Sequence, residues 1–177
     1  MRSLGVDSHL ASGLNVAVMT AAATPSVAHR FARAFNSRDV ERVLEVFTPD
    51  AVYHDLFYGR FAGHPGLREL FARMYAEGTA HEWTMTQVAQ SQTCTIGEWR
   101  FAFTLSDAVA RGAGRTLRFT GVSVFDTREG RCHTYREYFD RTAALLAIGI
   151  APASVAGIVA RRPSIEVSLP ELGTPPR

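Results

Sequence analysis

Residues 94–105 read CTIGEWRFAFTL, and apolar and polar side chains alternate along the second half of this stretch. Side chains of a β-strand point alternately to the two faces of its sheet. The alternation therefore predicts a strand with one apolar face. That face carries the odd-numbered residues Trp99, Phe101, Phe103 and Leu105. We expect these side chains to point inward, with Glu98 and Arg100 on the opposite face.

The same two-residue period extends over the region from Glu82 onward. It predicts four strands, at 82–90, 94–105, 115–126 and 131–139. The odd-numbered face of the last two strands is also mainly apolar, with Leu117, Phe119, Phe125, Tyr135 and Phe139. Short turns join the strands, so we expect an antiparallel sheet whose odd-numbered face meets the helices.

The residues before Glu82 show a helical period instead. Helices are predicted from Ser26 to about residue 35, over 40–47 and from Pro65 to Gly78, with a short strand over 51–57 and a loop over 59–63. A last short helix is predicted over 141–148, with Asp140 as its N-cap. Helices followed by antiparallel strands are typical of the α+β class.

Composition divides the chain into three parts. Residues 1–25 are rich in Ala, Ser, Gly and Thr and predict a flexible N-terminal arm. Residues 26–149 form one domain. Residues 150–177 hold five of the eight prolines and predict an irregular C-terminal extension. Because that extension contains Ile158 and Val159, we expect part of it to pack at a pocket mouth or on a partner subunit.

Charge and motifs exclude several classes of function. The net charge of +2 is too small to indicate binding to nucleic acid or to a membrane surface. The two cysteines, Cys94 and Cys132, form no CxxC pattern and are expected to be reduced, as in a cytoplasmic protein. The histidines form no HxH or HxxxH pair, and no GxSxG motif or glycine-rich phosphate loop is present. We therefore expect no metal and no organic cofactor.

Glu137 is the polar exception on the apolar face of the sheet. Its neighbours on the same face of its strand are Tyr135 and Phe139, and a charged carboxylate is unfavourable there unless it is paired. Two interpretations remain open. Glu137 either pairs with an arginine or a backbone amide, or it is an acid/base group whose pKa is raised by desolvation at the floor of a pocket.

A second polar cluster is Tyr53-His54-Asp55. Tyr53 and Asp55 share one face of the predicted strand, and His54 points to the other face. Two hydrogen-bonding groups on one face can hold a single water or substrate oxygen. The alternative is that the strand simply ends here, with its polar side chains in solvent.

Several stretches, in this order, resemble SnoaL-like proteins of the nuclear-transport-factor-2-like superfamily. They are Asn36-Ser37-Arg38-Asp39, residues 46–53 (VFTPDAVY), Gly63 before a helix, and residues 135–140 (YREYFD). The similarity covers about residues 26–149. It implies a cone-shaped α+β barrel, in which a curved, mostly antiparallel sheet wraps around the N-terminal helices and encloses a pocket.

The resemblance also implies a class of function and an assembly. Such proteins include polyketide cyclases, ketosteroid isomerase, scytalone dehydratase, limonene-type epoxide hydrolases and non-catalytic binding modules. They are commonly homodimers, so we expect pairing through the outer face of the sheet, where Val122, Val124 and Tyr138 lie.

Limonene-type epoxide hydrolases resemble this chain most locally. Where they carry Trp-Arg-Asp-Tyr-Phe-Asp, with the first Asp activating a water, this chain has YREYFD, which places Glu137 at the catalytic carboxylate. Their Tyr-x-Asn pair corresponds to Tyr53 and Asp55. Their proton-donating Arg-x-Asp corresponds to Trp99 and Phe101, so that half of the mechanism has no counterpart here.

Three functions follow from these observations. The first is a cofactor-free acid/base enzyme for a hydrophobic small molecule, such as a cyclase or isomerase of secondary metabolism. The second opens an epoxide with water or a substrate hydroxyl, and the third is a non-catalytic binding module. The candidate catalytic residues are Glu137, Asp55 and Tyr53. The candidate substrate-binding residues are Trp99, Phe101, Phe119, Tyr135, His133 and Phe139.

Overall fold

The computed structural model describes residues 24–161, which form helices first and a sheet afterwards. In chain order the elements are α1 (Val27–Asn36), α2 (Val40–Leu44), β1 (Phe47–Asp55), β2 (Gly59–Ala62), α3 (Gly63–Glu77), β3 (Gly78–Gln90), β4 (Cys94–Leu105), β5 (Thr116–Arg128), β6 (Arg131–Tyr138), α4 (Arg141–Ala147) and α5 (Pro152–Ala160). This order confirms the predicted α+β class.

Side-chain caps explain where three of the helices begin. The hydroxyl of Ser26 accepts a hydrogen bond from the His29 amide at the start of α1. Asp39 does the same for the first amides of α2. Asp140 accepts from the Ala143 amide at 2.9 Å, which confirms it as the N-cap of α4. Such caps satisfy amides that have no partner within the helix.

The six strands form one sheet in the order β2-β1-β6-β5-β4-β3. Neighbouring strands from β3 to β6 pair antiparallel, and β2 pairs antiparallel with β1. The pairing of β1 with β6 is parallel. The predicted curved, mostly antiparallel sheet is thus confirmed, with one parallel pair in its interior.

The core lies between this sheet and helices α1 and α3. Phe31 and Phe35 of α1 are fully buried, and the ring of Phe31 lies 4.9 Å from that of Trp83 and 5.5 Å from that of Tyr135. Helix α3 contributes Leu70 and Phe71 to the same core. The aromatic face of the sheet is therefore covered by apolar helix surfaces, which is the main source of stability in such a fold.

The predicted inward face of the sheet is confirmed. Its members are buried or half-buried against the core: Trp99, Phe101, Phe103, Phe119, Phe125, Tyr135 and Phe139. Even-numbered neighbours such as Glu98, Arg100 and Tyr138 are exposed. Parity therefore holds along β4, β5 and the second half of β6, whereas a register shift in the β5–β6 pairing places the even-numbered Cys132 in the core.

Several boundaries differ from the sequence-based expectation. Helix α2 ends at Leu44 rather than at residue 47, and β1 begins at Phe47 rather than near residue 51, so Thr48-Pro49-Asp50 belongs to the strand. Residues 59–62 are strand β2 rather than loop, since they pair with the end of β1 at the sheet edge. A four-residue edge strand is too short to show a two-residue period.

The C-terminal extension is not wholly irregular. Pro152–Ala160 forms helix α5, with the proline in the first helical turn, where it disturbs no hydrogen bond. The prediction of irregular structure over 150–177 was wrong for residues 152–160. Only Pro152, the first proline of the extension, lies in this helix, and small or apolar residues occupy its other positions. Residues 162–177 and most of the predicted arm, residues 1–23, lie outside the described part of the chain.

Gly121 provides a test of the packing on the inward face. It stands opposite Trp99 in the β4–β5 pairing, and a Cβ atom there would lie 2.5 Å from Trp99 Cη2 and 2.7 Å from the Tyr138 carbonyl oxygen. We expect Gly121→Ala to lower the free energy of unfolding by about 1–3 kcal/mol through overpacking. Urea unfolding measures this change.

The control is Gly157→Ala in α5, where no atom lies within 4 Å of the added carbon. Alanine favours helix over glycine, so this variant should keep or slightly raise the stability. Equal urea midpoints for Gly121→Ala and the wild type would contradict the close approach of Trp99 to the strand.

Candidate active site

A cavity of about 260 Å³ lies between the concave face of the sheet and helices α3, α4 and α5. Most of its wall is aromatic: Trp83, Trp99, Phe101, Phe103, Phe119 and Phe139. Ile158 of α5 also lines it, so the C-terminal extension covers part of the cavity as expected. Ligand pockets for drug-sized molecules span roughly 300–1,000 Å³, so this chamber suits a small, mainly apolar ligand.

Two carboxylates stand at one end of this cavity, Asp55 and Glu137. The parallel pairing of β1 and β6 aligns Tyr53 with Tyr135, and the two carboxylates follow two residues later on each strand. Parallel strands end at the same edge of the sheet, so the side chains meet there. Both residues are buried, with 7% of Asp55 and 6% of Glu137 exposed.

Backbone amides of the turn after β1 hold both carboxylates. Glu137 Oε1 accepts a hydrogen bond from the Leu56 amide at 3.1 Å. Asp55 Oδ1 accepts from the amides of Phe57 and Tyr58, each at 2.7 Å. Three successive N–H groups therefore point at the pair and stabilise negative charge on it.

Burial makes Glu137 a weak acid. Desolvation raises the pKa of its carboxyl well above the ordinary value, and the negative charge of Asp55 raises it further. The hydrogen bonds from Leu56 and Tyr135 act in the opposite direction but are smaller influences. Two neighbouring carboxylates whose surroundings move their pKa values apart can serve as an acid and a base, as proton-transfer chemistry requires.

A hydrogen-bond chain runs from Trp99 through the sheet to Glu137. Trp99 Nε1 donates to Ser123 Oγ at 2.7 Å, Ser123 Oγ lies 2.7 Å from Tyr135 Oη, and the Tyr135 hydroxyl donates to Glu137 Oε2 at 3.1 Å. All four residues are buried. We call this set the Trp99–Glu137 chain.

Tyr53 is placed behind the site rather than in it. Its ring stacks on that of Tyr135, with centroids 4.0 Å apart, and it does not line the cavity. Burial raises the pKa of its hydroxyl, which has no hydrogen-bond partner among the described residues. The expectation that Tyr53 touches the substrate is therefore corrected: the structure brings it to Tyr135, not to the cavity.

The predicted substrate-binding residues divide into two groups. Trp99, Phe101, Phe119 and Phe139 line the cavity. Tyr135 lies beneath it and reaches Glu137. The structure corrects the expectation for His133, which lies away from the cavity, with Nδ1 3.4 Å from Thr48 Oγ1 and 3.8 Å from the Asp50 carboxylate.

The physical reason is an irregularity in β6. The pairing of β5 with β6 shifts register between Asp126 and Thr127, which lie opposite residues 132–134. Cys132 and Tyr135 are therefore both fully buried although they are three residues apart, and His133 falls at the irregular position between them. Such a bulge changes the parity of the side chains on its two sides.

The sequence analysis missed a polar cluster in the cavity wall, which consists of Tyr58, Arg73 and Glu77. The Tyr58 hydroxyl donates to Glu77 Oε2 at 2.6 Å, and Arg73 Nε donates to Glu77 Oε1 at 2.7 Å. The Arg73 guanidinium also lies over the Tyr58 ring, 4.5 Å from its centroid. The Arg73–Glu77 pair has the i,i+4 spacing that indicates a helical ion pair, but nothing in the sequence marks it as part of a cavity.

His81 also lines the cavity and was not a candidate. Its ring stacks on those of Phe101 and Phe103, and Arg38 Nη1 lies 2.8 Å from its Nδ1. Burial and the nearby Arg38 charge lower the pKa of His81 to about 4. At neutral pH it is therefore an uncharged part of the wall.

Within residues 24–161, no three His, Cys, Asp or Glu side chains are grouped so that they could hold a metal ion. None of the helices in this part of the chain is long and apolar enough to span a membrane.

A sheet packed against N-terminal helices and bordering an aromatic cavity is shared with the class of proteins that have the nuclear-transport-factor-2-like fold. Within this class, the profile of the SnoaL-like domain matches residues 28–135. The chain belongs to the SnoaL-like domain family. No curated protein matches it.

Solved structures show the same fold at low sequence identity. A protein with ketosteroid isomerase-like fold from Catenulispora acidiphila, in complex with trimethylamine, has 18% identity and a TM-score of 0.64 over 73% of this chain and 96% of its own. A candidate polyketide cyclase from Xanthomonas campestris has 16% identity and a TM-score of 0.59, over 69% of this chain and 93% of its own. An LEH-like epoxide hydrolase of M. tuberculosis has 20% identity and a TM-score of 0.57, over 76% of this chain and 91% of its own.

The raised pKa of Glu137 predicts a pH-dependent stability. In the folded state its pKa lies above the ordinary value of 4.5, so the folded protein keeps a proton that the unfolded chain loses. The stability contributed by this proton is present below the unfolded pKa and is lost as the pH rises through the folded pKa. We therefore expect the Tm difference between the wild type and Glu137→Gln, taken as wild type minus variant, to decrease as the pH rises above 4.5.

Glu98→Gln is the control, because it removes an exposed carboxylate from the outer face of the sheet. Its Tm difference from the wild type should not show this decline. A Tm difference for Glu137→Gln that stays constant from acidic to alkaline pH would show that Glu137 titrates as an ordinary carboxyl group.

Proposed function

We propose that this protein is a cofactor-free acid/base enzyme that acts on a hydrophobic small molecule, as a polyketide cyclase or isomerase does. The buried pair of Asp55 and Glu137 at the end of an aromatic cavity carries the proposal. The pair can hold one proton, and the cavity keeps bulk water away from it. Membership of the SnoaL-like family supports the class of reaction.

The chemistry is a proton transfer at a carbon next to a carbonyl group. The ionised carboxylate of the pair takes the proton from carbon, and the C–H electron pair moves towards the carbonyl oxygen. The protonated carboxyl donates its proton to that oxygen, which forms an enol. Reversal at another carbon gives an isomer, and attack of the enol on a second carbonyl gives a ring. Such a positioned acid and base together need no metal or organic cofactor.

The aromatic wall suits a flat substrate. Phe101 and Phe103 stack with ring planes 28° apart, Phe119 meets the Phe101 ring edge-on, and Trp99 meets the Phe119 ring edge-on. Aromatic faces bind planar conjugated molecules through their large apolar area. A conjugated ketone of two or three rings fits this description, and we propose that it belongs to secondary metabolism in the cytoplasm.

Epoxide opening is the second candidate. The same pair of carboxylates could activate a water or a substrate hydroxyl, and a solved neighbour is an LEH-like epoxide hydrolase. However, Trp99 and Phe101 stand where the resembling hydrolases keep their proton donor, and the Trp99 N–H is already bonded to Ser123. A non-catalytic binding module is the third candidate, and it requires no proton on Glu137.

Exchange of hydrogen at carbon tests the proposal without knowledge of the natural substrate. The protein is incubated with 2-tetralone, a bicyclic aromatic ketone, in D₂O, and loss of the α-proton signals is followed by NMR. The wild type should exchange them faster than buffer. Glu137→Gln should reduce this rate by roughly 10²-fold while keeping the fold, because a positioned acid or base is lost.

Glu98→Gln, which alters an exposed carboxylate, should exchange as the wild type does. Circular dichroism checks that each variant is folded. Near-full exchange by Glu137→Gln would refute the catalytic assignment. Binding of tetralone without exchange would favour the binding module, and consumption of an aryl epoxide such as styrene oxide would favour the second candidate.

We also propose a homodimer through the outer face of the sheet. The strand register places Ile96 beside Val124 and Val122 beside Tyr138, which makes one apolar patch. Ile96 is 46% exposed and Tyr138 58% exposed. Burial of such a patch against a second copy removes apolar area from water.

Light scattering tests this assembly. The wild type should have twice the chain mass at micromolar concentration, and Ile96→Lys should be a monomer because a charge then faces its own copy. The matched control is Leu146→Lys, which alters an apolar residue that is 44% exposed on α4. A monomeric wild type, or equal masses for both variants, would contradict the proposed interface.

A further inference from the structure

The Trp99–Glu137 chain crosses three neighbouring strands, β4, β5 and β6. Its members are almost inaccessible to water: Trp99 is 1% exposed, Ser123 and Tyr135 0%, and Glu137 6%. The three links measure 2.7, 2.7 and 3.1 Å. Each of these distances is short enough for a well-formed hydrogen bond.

The chemistry of the end groups fixes the direction of this chain. An indole N–H can only donate, so Ser123 Oγ must accept at its first link. The Ser123 hydroxyl is then free to donate its own hydrogen to Tyr135 Oη. Tyr135 in turn uses its single hydrogen on Glu137. Every hydrogen in the chain therefore points towards the carboxylate.

The opposite direction leaves a donor unsatisfied. If Tyr135 donated to Ser123, the Ser123 hydrogen would have no acceptor within the chain, and Glu137 Oε2 would lose its donor. An unpaired buried donor is unfavourable by about 1–3 kcal/mol. The direction that stabilises ionised Glu137 is therefore the only one in which each hydrogen of the chain has an acceptor. The Trp99 N–H reinforces this direction, because its hydrogen bond to Ser123 Oγ polarises the Ser123 hydroxyl and strengthens the donation to Tyr135.

We propose that Trp99 and Ser123 are positioning residues, which set the proton affinity of Glu137 by fixing the direction in which Tyr135 donates its hydroxyl hydrogen. The inference rests on the proposed acid/base function for its consequence in catalysis. It goes beyond that function because it assigns a role to two side chains whose hydrogen bonds reach Glu137 only through Tyr135. Trp99 then acts twice, since its ring is also part of the cavity wall.

Other charged and titratable groups also face this site. Asp55 and Tyr53 approach Glu137 from β1, and Tyr135 adjoins it on β6. The Arg141 guanidinium of α4 donates to the Leu56 carbonyl at 3.0 Å, next to the amide that bonds Glu137. From α3 and β3, the same cavity receives Arg73, Glu77 and His81, together with Tyr58 of the turn. The variants below leave all of these in place except Tyr135.

The experiment measures the pKa of Glu137 directly, in the absence of any substrate. The side-chain carboxyl carbons of glutamate are labelled with ¹³C, the signal of Glu137 is assigned by its loss in Glu137→Gln, and its shift is followed against pH. Tyr135→Phe removes the last donor and should raise the pKa by about one unit. Ser123→Ala interrupts the chain and should raise it less, since Tyr135 can still donate.

The decisive comparison is between two tryptophans of the cavity wall. Trp99→Phe removes the donor at the head of the chain and should raise the pKa of Glu137, because the Ser123 and Tyr135 hydroxyls are then less polarised and Tyr135 donates more weakly. Trp83→Phe makes the same change in size, but the Trp83 indole nitrogen has no hydrogen-bond partner among the described residues. This variant should leave the pKa of Glu137 unchanged.

Equal shifts for the two tryptophan variants would overturn the proposal, since a change of packing alone would then explain them. An unchanged pKa of Glu137 in both Tyr135→Phe and Ser123→Ala would also overturn the proposal. These two variants provide the test if Trp99→Phe does not fold. Failure here is distinct from failure of the proposed function, because the titration uses no substrate and the exchange assay uses Glu137→Gln.

Discussion

The parallel pairing of β1 with β6 is the constraint on which the candidate site depends. It aligns Tyr53 with Tyr135, so that Asp55 and Glu137 follow on the same face and at the same edge. Had the strands run antiparallel, one carboxylate would lie at the opposite end of the pair from the other. The turn after β1 then supplies the amides of residues 56–58 that hold both side chains.

The aromatic surroundings stabilise the fold and tune the acid at the same time. Phe139 and Trp99 bury apolar area, and their rings also exclude water from Glu137. A buried carboxylate would be unfavourable without compensation, which comes from the Leu56 amide and the Tyr135 hydroxyl. Because these donors only partly offset desolvation, Glu137 keeps its proton to higher pH than an exposed glutamate does.

Much of this arrangement could be predicted from the sequence, for a definite reason. The two-residue period fixes which face of a strand is buried, so the inward position of Trp99 and Glu137 followed from parity. The irregularity at the start of β6 did not follow from parity, because the alternation of side chains is lost across a register shift, and the cavity location of His133 was therefore predicted wrongly. β2 and α5 are short elements stabilised by tertiary pairing, and their own residues carry little periodic signal.

The long chain distance between β1 and β6 also sets the order in which a newly synthesised molecule can assemble. Strands β3 to β6 pair with their sequence neighbours. In contrast, Val52 of β1 pairs with Thr134 of β6, so β1 cannot pair with β6 until residue 134 has been synthesised. A ribosome adds about 5–20 residues per second, so the wait is of the order of several seconds. During it, Phe31 of α1 lacks the Tyr135 ring on which it packs. Nascent chains of this protein should therefore be clients of chaperones until β6 has emerged.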